Sequence, residues 1–225
     1  RSILDIKVVG ITGSVGKTST KEFIASVLSE KYNVLKTEGN FNNEIGLPLT
    51  VFNIRDSHQV AVLEMGISDF GEMTRLTKIA RPDVCVITNI GLCHLENLGS
   101  RDGILKAKTE IFNYAGEHYY TVLNGDDDKL AGLKSQNEND IVFYGMEKEQ
   151  GIYAEIEKSM IFEMTCEAEG LDTLWNDFSC RMTDSELKSV AKSGSFFSYC
   201  AGVASYMLEW YKVGGLRINI KKMTL

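Results

Sequence analysis

A glycine-rich loop near the start of the chain is the feature that most restricts its fold. The segment Gly10–Thr20 has the sequence Gly-Ile-Thr-Gly-Ser-Val-Gly-Lys-Thr-Ser-Thr. It follows an apolar run, Ile6–Val9, and opens a segment with helical periodicity. Backbone N–H groups exposed by glycines, together with the positive end of a new helix, are suited to bind anionic oxygens. The order of strand, glycine loop and helix therefore predicts an α/β fold with a site for the phosphates of ATP or GTP.

The loop departs from the full Walker A pattern at one position. Counted back from Gly16, that pattern requires a glycine where this chain has Ile11. Lys17 is still expected to reach the β- and γ-phosphates, and the Thr18 hydroxyl to bind Mg²⁺. A glycine-rich turn with an exposed lysine is the alternative, but it would not require this order of elements. The residues predicted to bind the nucleotide are Thr12, Gly13, Ser14, Val15, Gly16, Lys17, Thr18 and Ser19.

Composition excludes several classes of protein. The net charge of −7 argues against a general nucleic-acid binder, which would carry a basic face. No apolar run approaches the ~20 residues of a membrane span, and no signal peptide is visible. The five cysteines are odd in number and have no C-x-x-C spacing, which favours reduced thiols and a cytoplasmic location. Because the chain starts at Arg1, directly before its first strand, we expect it to be a piece of a longer protein.

Predicted strands and helices alternate over the first two thirds of the chain. The predicted strands are Ile6–Ile11, Val34-Leu35, Gln59–Glu64, Val84–Ile90, Tyr119–Leu123 and Ile141–Tyr144. The predicted helices are the one after the loop, with Phe23, Ile24, Val27 and Leu28 on its apolar face, then Gly71–Ala80, Ser100–Phe112 and Asp127–Leu133. This alternation predicts a mostly parallel sheet flanked by helices. Ligands of such sheets bind at the carboxyl ends of the strands.

The pattern changes after about residue 150. Ile152–Glu157 and Met160–Cys166 resemble an antiparallel pair of strands, and Ser198–Tyr211 resembles an apolar helix. We therefore predict one domain over residues 1–225. Its α/β core covers about 1–150, and a small antiparallel β addition with a divergent tail covers about 151–225.

Polar residues at the ends of two predicted strands are candidate metal ligands. Glu64 ends an apolar strand, where a carboxylate is costly to bury unless it is paired or binds a metal. His94 follows the next predicted strand of the same sheet. The alternatives are a solvated strand-end glutamate and a structural histidine. Cys93, beside His94, is expected to be a small apolar filler.

Two further segments carry polar groups suited to a ligand. The loop Glu38–Gly46 combines amides with a carboxylate, which suits recognition of a polar ligand at several points. A turn followed by a helix cap is the alternative for this loop. Lys106 and Lys108 lie two residues apart in a predicted helix and so on different faces, so that one can point inward while the other is solvated.

Together these motifs resemble one family. The segments that carry the resemblance are Thr12–Thr18, Gly39–Gly46, Glu64–Gly66, Ala80–Asp83, Ile87–Gly91 with His94, and Ala107–Phe112. In this order they resemble the central ATPase domain of the Mur ligases, over roughly residues 6–145. The Asn-rich loop is most similar to that of the subgroup that adds D-Ala-D-Ala to UDP-MurNAc-tripeptide.

The resemblance implies an ATP-dependent amide ligase of peptidoglycan precursor synthesis that acts through an acyl phosphate. It also implies two Mg²⁺ ions and a Lys108 that reacts with CO₂ to form a carbamate, which can bind a metal. The residues implied to act in catalysis are Lys17, His94 and Lys108. The implied metal ligands are Thr18, Glu64, His94 and Lys108. The residues implied to contact the substrates, UDP-MurNAc-tripeptide and D-Ala-D-Ala, are Asn40, Asn42, Asn43, Glu44 and Asn89.

This chain also departs from the family. Mur ligases are about twice as long, and their N-terminal UDP-binding domain and C-terminal domain have no counterpart here. We therefore expect a monomer that is inactive alone. In the segment Gly194–Ala201, Phe196 and Cys200 stand where the family has the His and the adenine-contacting Asn. The alternatives are another Mur ligase, a folylpolyglutamate synthase-like ligase, or a nucleotide-binding remnant without catalysis.

Overall fold

In a computed structural model of the chain, two compact units are distinguished, Arg1–Val142 and Phe143–Leu225. The structure describes residues 4–116, 118–135, 141–146, 152–156, 161–166, 177–181, 187–189 and 216–220. Within these residues, no helix is long and apolar enough to cross a membrane.

The first unit contains a parallel sheet. Its strands are β1 (Lys7–Thr12), β2 (Val34–Lys36), β3 (Val60–Glu64), β4 (Val84–Ile87) and β5 (Tyr120–Asn124). They lie in the order β2-β3-β1-β4-β5, and every pairing among them is parallel. In the central strand, Gly10 lies opposite Leu63 on one side and Cys85 on the other. The parallel α/β fold predicted from the alternating pattern is confirmed.

Helices connect these strands. They are α1 (Lys17–Ser29), α2 (Gly46–Phe52), α3 (Glu72–Ala80), α4 (Leu95–Leu98), α5 (Arg101–Thr109) and α6 (Asp128–Ala131), with 3₁₀ turns at Glu110–Phe112 and Gly132–Ser135. The predicted helix Ser100–Phe112 is thus an α-helix that tightens into a 3₁₀ turn. Sequence patterns missed α2 and α4.

The core explains why the strands are almost entirely apolar. All five residues of β3 are buried, and only the first residue of β1 is exposed. Buried residues of β1, β3 and β4 pack with Ala25 of α1, and Ile24 and Leu28 of that helix lie partly buried against them. Because β1, β3 and β4 are parallel neighbours, their carboxyl ends meet at one edge of the sheet, where Thr12 and Glu64 lie.

One predicted strand is shorter than expected. β4 ends at Ile87 instead of Ile90. The residues that follow leave the sheet because their polar groups bond to the glycine loop: the Thr88 hydroxyl donates to the Val15 carbonyl at 2.6 Å, and the Gly91 N–H donates to the Ser14 hydroxyl at 2.8 Å. An apolar pattern alone cannot indicate this change of partner.

The second unit contains a mixed arrangement of strands. The strands beyond the first sheet are β6 (Ile141–Gly145), whose last residues lie in this unit, β7 (Ile152–Ile156), β8 (Ile161–Cys166), β9 (Asp177–Arg181) and β10 (Leu216–Ile220). They lie in the order β6-β7-β10-β8-β9. The β7–β10 and β8–β9 pairs are antiparallel, whereas β6–β7 and β10–β8 are parallel.

The direct pairing expected between Ile152–Glu157 and Met160–Cys166 is wrong. Both strands form, but β10 lies between them, with Ile218 opposite Ala154 and Met164. β10 comes from a distant part of the chain, so the local pattern of residues 152–166 could not indicate that it would lie between these two strands. The predicted helix Ser198–Tyr211 and the segment Gly194–Ala201 lie outside the described residues.

Candidate nucleotide and substrate site

The glycine loop joins β1 to α1 in a conformation that only glycine adopts easily. Gly13 has φ 147°, and a Cβ atom there would lie 1.9 Å from the Thr88 hydroxyl. Gly16, the residue before α1, has φ 80° and no side chain of its own to cap the helix. Since the first N–H groups of a helix have no partner within the helix, those at the start of α1 are suited to an anion. Thr18 and Ser19 are exposed at this helix end.

The segment after β4 holds the loop in shape. The side-chain oxygen of Asn89 accepts from the N–H groups of Ser14 and Val15 at 3.1 and 3.0 Å. These bonds add to those that Thr88 and Gly91 make with the loop. Asn89 therefore lies against the glycine loop. Its expected contact with the peptide substrate stays a prediction.

Lys17 folds over the loop that precedes it. Its ammonium donates to the carbonyls of Gly13 at 2.8 Å and Ser14 at 3.3 Å. These contacts hold a positive charge at the mouth of the loop, where phosphate oxygens would lie. The expected contact of Lys17 with the β- and γ-phosphates stays a prediction.

Two buried oxygen atoms without partners lie at the ends of adjacent strands. Within the described residues, the buried side-chain atoms that lack a hydrogen-bonding partner are Thr12 Oγ1 and Glu64 Oε2. The other oxygen of Glu64 accepts from the Asn42 amide at 2.7 Å. A buried unsatisfied oxygen is costly and indicates a water or an ion. Hard oxygen donors of this kind fit Mg²⁺.

Few protein groups are available to hold such an ion. Among the described residues there is no group of three or more His, Cys, Asp or Glu side chains placed to hold a metal. Mg²⁺ usually takes one or two carboxylates and completes its shell with waters and substrate phosphates. A single carboxylate such as Glu64 fits that pattern.

Lys108 is the inward-facing member of the lysine pair on α5. Its side chain is 1% exposed, whereas Lys106 is exposed with its ammonium 5.8 Å from the centre of the Phe70 ring. The pKa of Lys108 is lowered to about 8, mainly because the side chain is buried. Cys93 acts to raise this pKa, and the nearby Lys17 acts to lower it. Within the described part of the chain no carboxylate pairs with Lys108. A larger share of neutral amine makes this lysine a better nucleophile than an ordinary surface lysine.

A cavity of about 480 Å³ brings several predicted residues together. Its lining includes Lys17, Asn42, Asn43, Glu44 and His94. His94 is exposed and is the residue directly before α4. Its φ of 55° lies in the left-handed region, which is uncommon for residues other than glycine. Lys17, at the end of the glycine loop, and the Asn-rich loop therefore line the same cavity.

The Asn-rich loop is partly used by the fold itself. Asn43 accepts from the N–H groups of Ile45 and Gly46, and so caps α2. Glu44 pairs with Arg75 of α3, which lowers the pKa of the Glu44 carboxyl. Asn40 is exposed, and its backbone carbonyl accepts from the Asn42 N–H. The helix-cap alternative thus describes Asn43, while Asn42 faces Glu64.

Sequence patterns missed two buried residues of this region, Lys21 and Thr37. Lys21 is 1% exposed and donates to the Thr37 carbonyl at 2.7 Å. Helical spacing could have indicated the burial of Lys21, because it lies four residues before Ala25, the other buried residue of α1, and so on the same face of the helix. Thr37 directly follows β2, just as Glu64 ends β3. A polar residue at the end of a strand could therefore have marked Thr37 as a candidate as well.

Comparison with known proteins identifies the family of this fold and site. Residues 11–181 match the family model described as the Mur ligase middle domain. The chain belongs to the Mur ligase middle-domain family. The resemblance expected from the combined motifs is thereby confirmed.

Individual relatives are similar to this Mur ligase middle domain. The UDP-N-acetylmuramoyl-tripeptide–D-alanyl-D-alanine ligase of Bacillus subtilis is 51% identical over 132 residues, which are 59% of this chain and 29% of that protein. Among solved structures, MurF from Acinetobacter baumannii has a TM-score of 0.67 at 28% identity and covers 98% of this chain and 47% of its own. The MurF ligase of Thermotoga maritima in complex with ADP has a TM-score of 0.66 at 30% identity, covering 95% and 47%. The chain thus spans less than a third of the curated relative and about half of these structures.

Proposed function

We propose that this chain is the ATP-binding middle domain of an amide ligase of peptidoglycan precursor synthesis. The complete ligase would add D-Ala-D-Ala to UDP-MurNAc-tripeptide through an acyl phosphate. The observation that carries the proposal is the cavity that Lys17, Asn42 and His94 line together. Asn42 also donates to one oxygen of Glu64, while the other oxygen has no partner among the described residues. The 51% identity to the Bacillus subtilis ligase supports the choice of acceptor.

The glycine loop binds the phosphates of ATP in this proposal. N–H groups at the start of α1 contact phosphate oxygens, and Lys17 offsets the negative charge that develops during transfer. A carboxylate oxygen of the tripeptide attacks the γ-phosphorus, and ADP leaves. The amine of D-Ala-D-Ala then attacks the acyl carbon, and inorganic phosphate leaves as the amide forms.

Thr18 and Glu64 would hold one Mg²⁺, and His94 with a modified Lys108 would hold a second. Mg²⁺ supplies charge neutralisation where two anions must approach. The Lys108 modification has a balanced route: its neutral amine attacks CO₂, a nitrogen–carbon bond forms, and the proton leaves to solvent. The neutral form of this buried side chain thereby becomes a carboxylate-like metal ligand, which would explain a lysine in this position.

The other properties of the ligase follow from the same assignment. The tripeptide and D-Ala-D-Ala would be its small-molecule substrates, and the enzyme would work as a cytoplasmic monomer without nucleic acid or membrane insertion. The parts of the longer relatives that this chain does not match would supply the UDP grip and the incoming amine. This chain alone would then ligate little or nothing.

A chimera tests the proposal. The segment of the Bacillus subtilis ligase that matches this chain is replaced by the chain's own residues, and phosphate release from ATP is measured with UDP-MurNAc-tripeptide. We expect release that depends on D-Ala-D-Ala and that is lost in the Lys17→Ala chimera. A chimera that still binds ADP but releases no phosphate, or that prefers a different acceptor, would contradict the proposal.

A further inference from the structure

A buried cation links the nucleotide-loop helix to the neighbouring strand. Lys21 lies one turn after Lys17 on α1, and its side chain is buried. Its ammonium donates to the Thr37 carbonyl at 2.7 Å and lies 2.9 Å from a Glu22 oxygen. Burying a charged ammonium is costly, and an apolar side chain of similar length would fill the same space. Glu22 offsets part of this cost, and the remaining polar contact of the ammonium joins α1 to Thr37.

Thr37 also contacts Glu64, the candidate metal ligand. The residue is completely buried directly after β2. Its hydroxyl accepts from the Glu64 N–H at 3.0 Å, and its own N–H donates to the Val62 carbonyl at 3.0 Å. Thr37 therefore fixes the backbone of Glu64 at the end of β3.

The Glu64 side chain is fixed from the same segment. Asn42, five residues after Thr37, donates to one carboxylate oxygen at 2.7 Å, while the other oxygen has no partner within the part of the chain that the structure describes. The backbone of Glu64 is thus held by Thr37, and its orientation by Asn42. The Thr37 contact is linked to α1 through Lys21.

We propose that Lys21 and Thr37 are positioning residues that place Glu64 relative to the nucleotide loop. The relay runs from the Lys21 ammonium to the Thr37 carbonyl, and from the Thr37 hydroxyl to the Glu64 backbone. It fixes the distance between the helix that binds the phosphates and the carboxylate that would share a metal ion with them. This inference rests on the proposed phosphate and magnesium site.

Paired variants of this chain separate positioning from general stability. Thr37→Val removes the hydroxyl that holds Glu64, whereas Thr37→Ser retains it. Lys21→Met removes the ammonium that donates to the Thr37 carbonyl. Lys36→Met removes a neighbouring ammonium that pairs with Glu22 instead. ADP affinity is measured in EDTA, and Mn²⁺ affinity is measured on the ADP-saturated chain by electron paramagnetic resonance.

We expect Thr37→Val and Lys21→Met to lower Mn²⁺ affinity by about 10- to 100-fold, as loss of a partner of a metal ligand does. ADP affinity in EDTA should stay the same, and Thr37→Ser and Lys36→Met should behave as the unaltered chain. Unchanged Mn²⁺ affinity in Thr37→Val, or an equal loss of metal-free ADP affinity, would overturn the inference. Failure of the unaltered chain to bind ADP would instead contradict the proposed function.

Discussion

Lys108 carries a cost in folding that its proposed chemistry would explain. Its pKa is about 8 in the folded chain, compared with 10.5 for an ordinary lysine. Because the folded state binds this proton less readily than the unfolded state, there is no cost above about pH 10.5. The cost grows as the pH falls and is complete below about pH 8, where it reaches about 3 kcal/mol.

Replacement of Lys108 by methionine should therefore stabilise the chain. In buffer free of CO₂, Lys108→Met is expected to raise the free energy of unfolding at pH 7 by up to about 3 kcal/mol, with the gain vanishing near pH 10.5. Urea unfolding over this pH range measures the difference. Lys106→Met is the matched control, since Lys106 is exposed on the same helix. A gain that does not depend on pH would contradict the assigned pKa.

Some residue roles were accessible from the sequence and others were not. Helical spacing allowed one lysine of the pair to point inward, and Lys108 is the buried one. The apolar strand that Glu64 ends made its burial one of two alternatives, and Glu64 is buried. The partners of Asn89 and Asn43 did not follow, because an amide can serve a ligand or a neighbouring loop equally well. Only the fold decides which N–H groups lie within reach.

Among the elements, α3 depends on a carboxylate from a different part of the chain. Glu110, in the 3₁₀ turn after α5, accepts from the N–H groups of Gly71 and Thr74 and from the Thr74 hydroxyl, at 2.9 to 3.2 Å. A carboxylate at this end of a helix satisfies unpaired N–H groups and complements the helix dipole. Glu110 thereby fastens α3 to the helix that carries Lys108.

Loss of this cap should weaken the fold measurably. Glu110→Ala is expected to lower the free energy of unfolding by about 1–2 kcal/mol, and Glu110→Gln by less because an amide oxygen still accepts. The midpoint of urea unfolding reports the change. Glu96→Ala, at an exposed position of α4, serves as the control. Equal midpoints for the Glu110→Ala and Glu96→Ala chains would show that the cap contributes nothing.

Long elements were predictable, and short ones were not. The apolar runs of β1 and β3 and the periodicity of α3 indicated those elements to within a residue or two. Helix α2 has seven residues, with Pro48 in its first turn, and it depends on the cap from Asn43, so local propensity gives little warning of it. β10 was missed because its partners are more than fifty residues away in the sequence, whereas local patterns favour a hairpin.

For the molecule as a whole, the described candidate residues belong to the first compact unit. The nucleotide loop, the Asn-rich loop, Glu64, His94 and Lys108 all lie before Val142. The order of strands in a parallel sheet brings their ends to one edge, which is why a sequence-based assignment of the site was possible at all. We therefore predict that this chain forms the nucleotide site by itself, even though it spans only part of the length of its relatives.

Calorimetric titration of the chain with a non-hydrolysable Mg·ATP analogue tests this most directly, with Lys17→Ala as the comparison. We predict binding by the unaltered chain and loss of binding in the Lys17→Ala chain, because Lys17 places its charge at the mouth of the glycine loop. No binding by the unaltered chain, or equal binding by both chains, would contradict the account of the phosphate site.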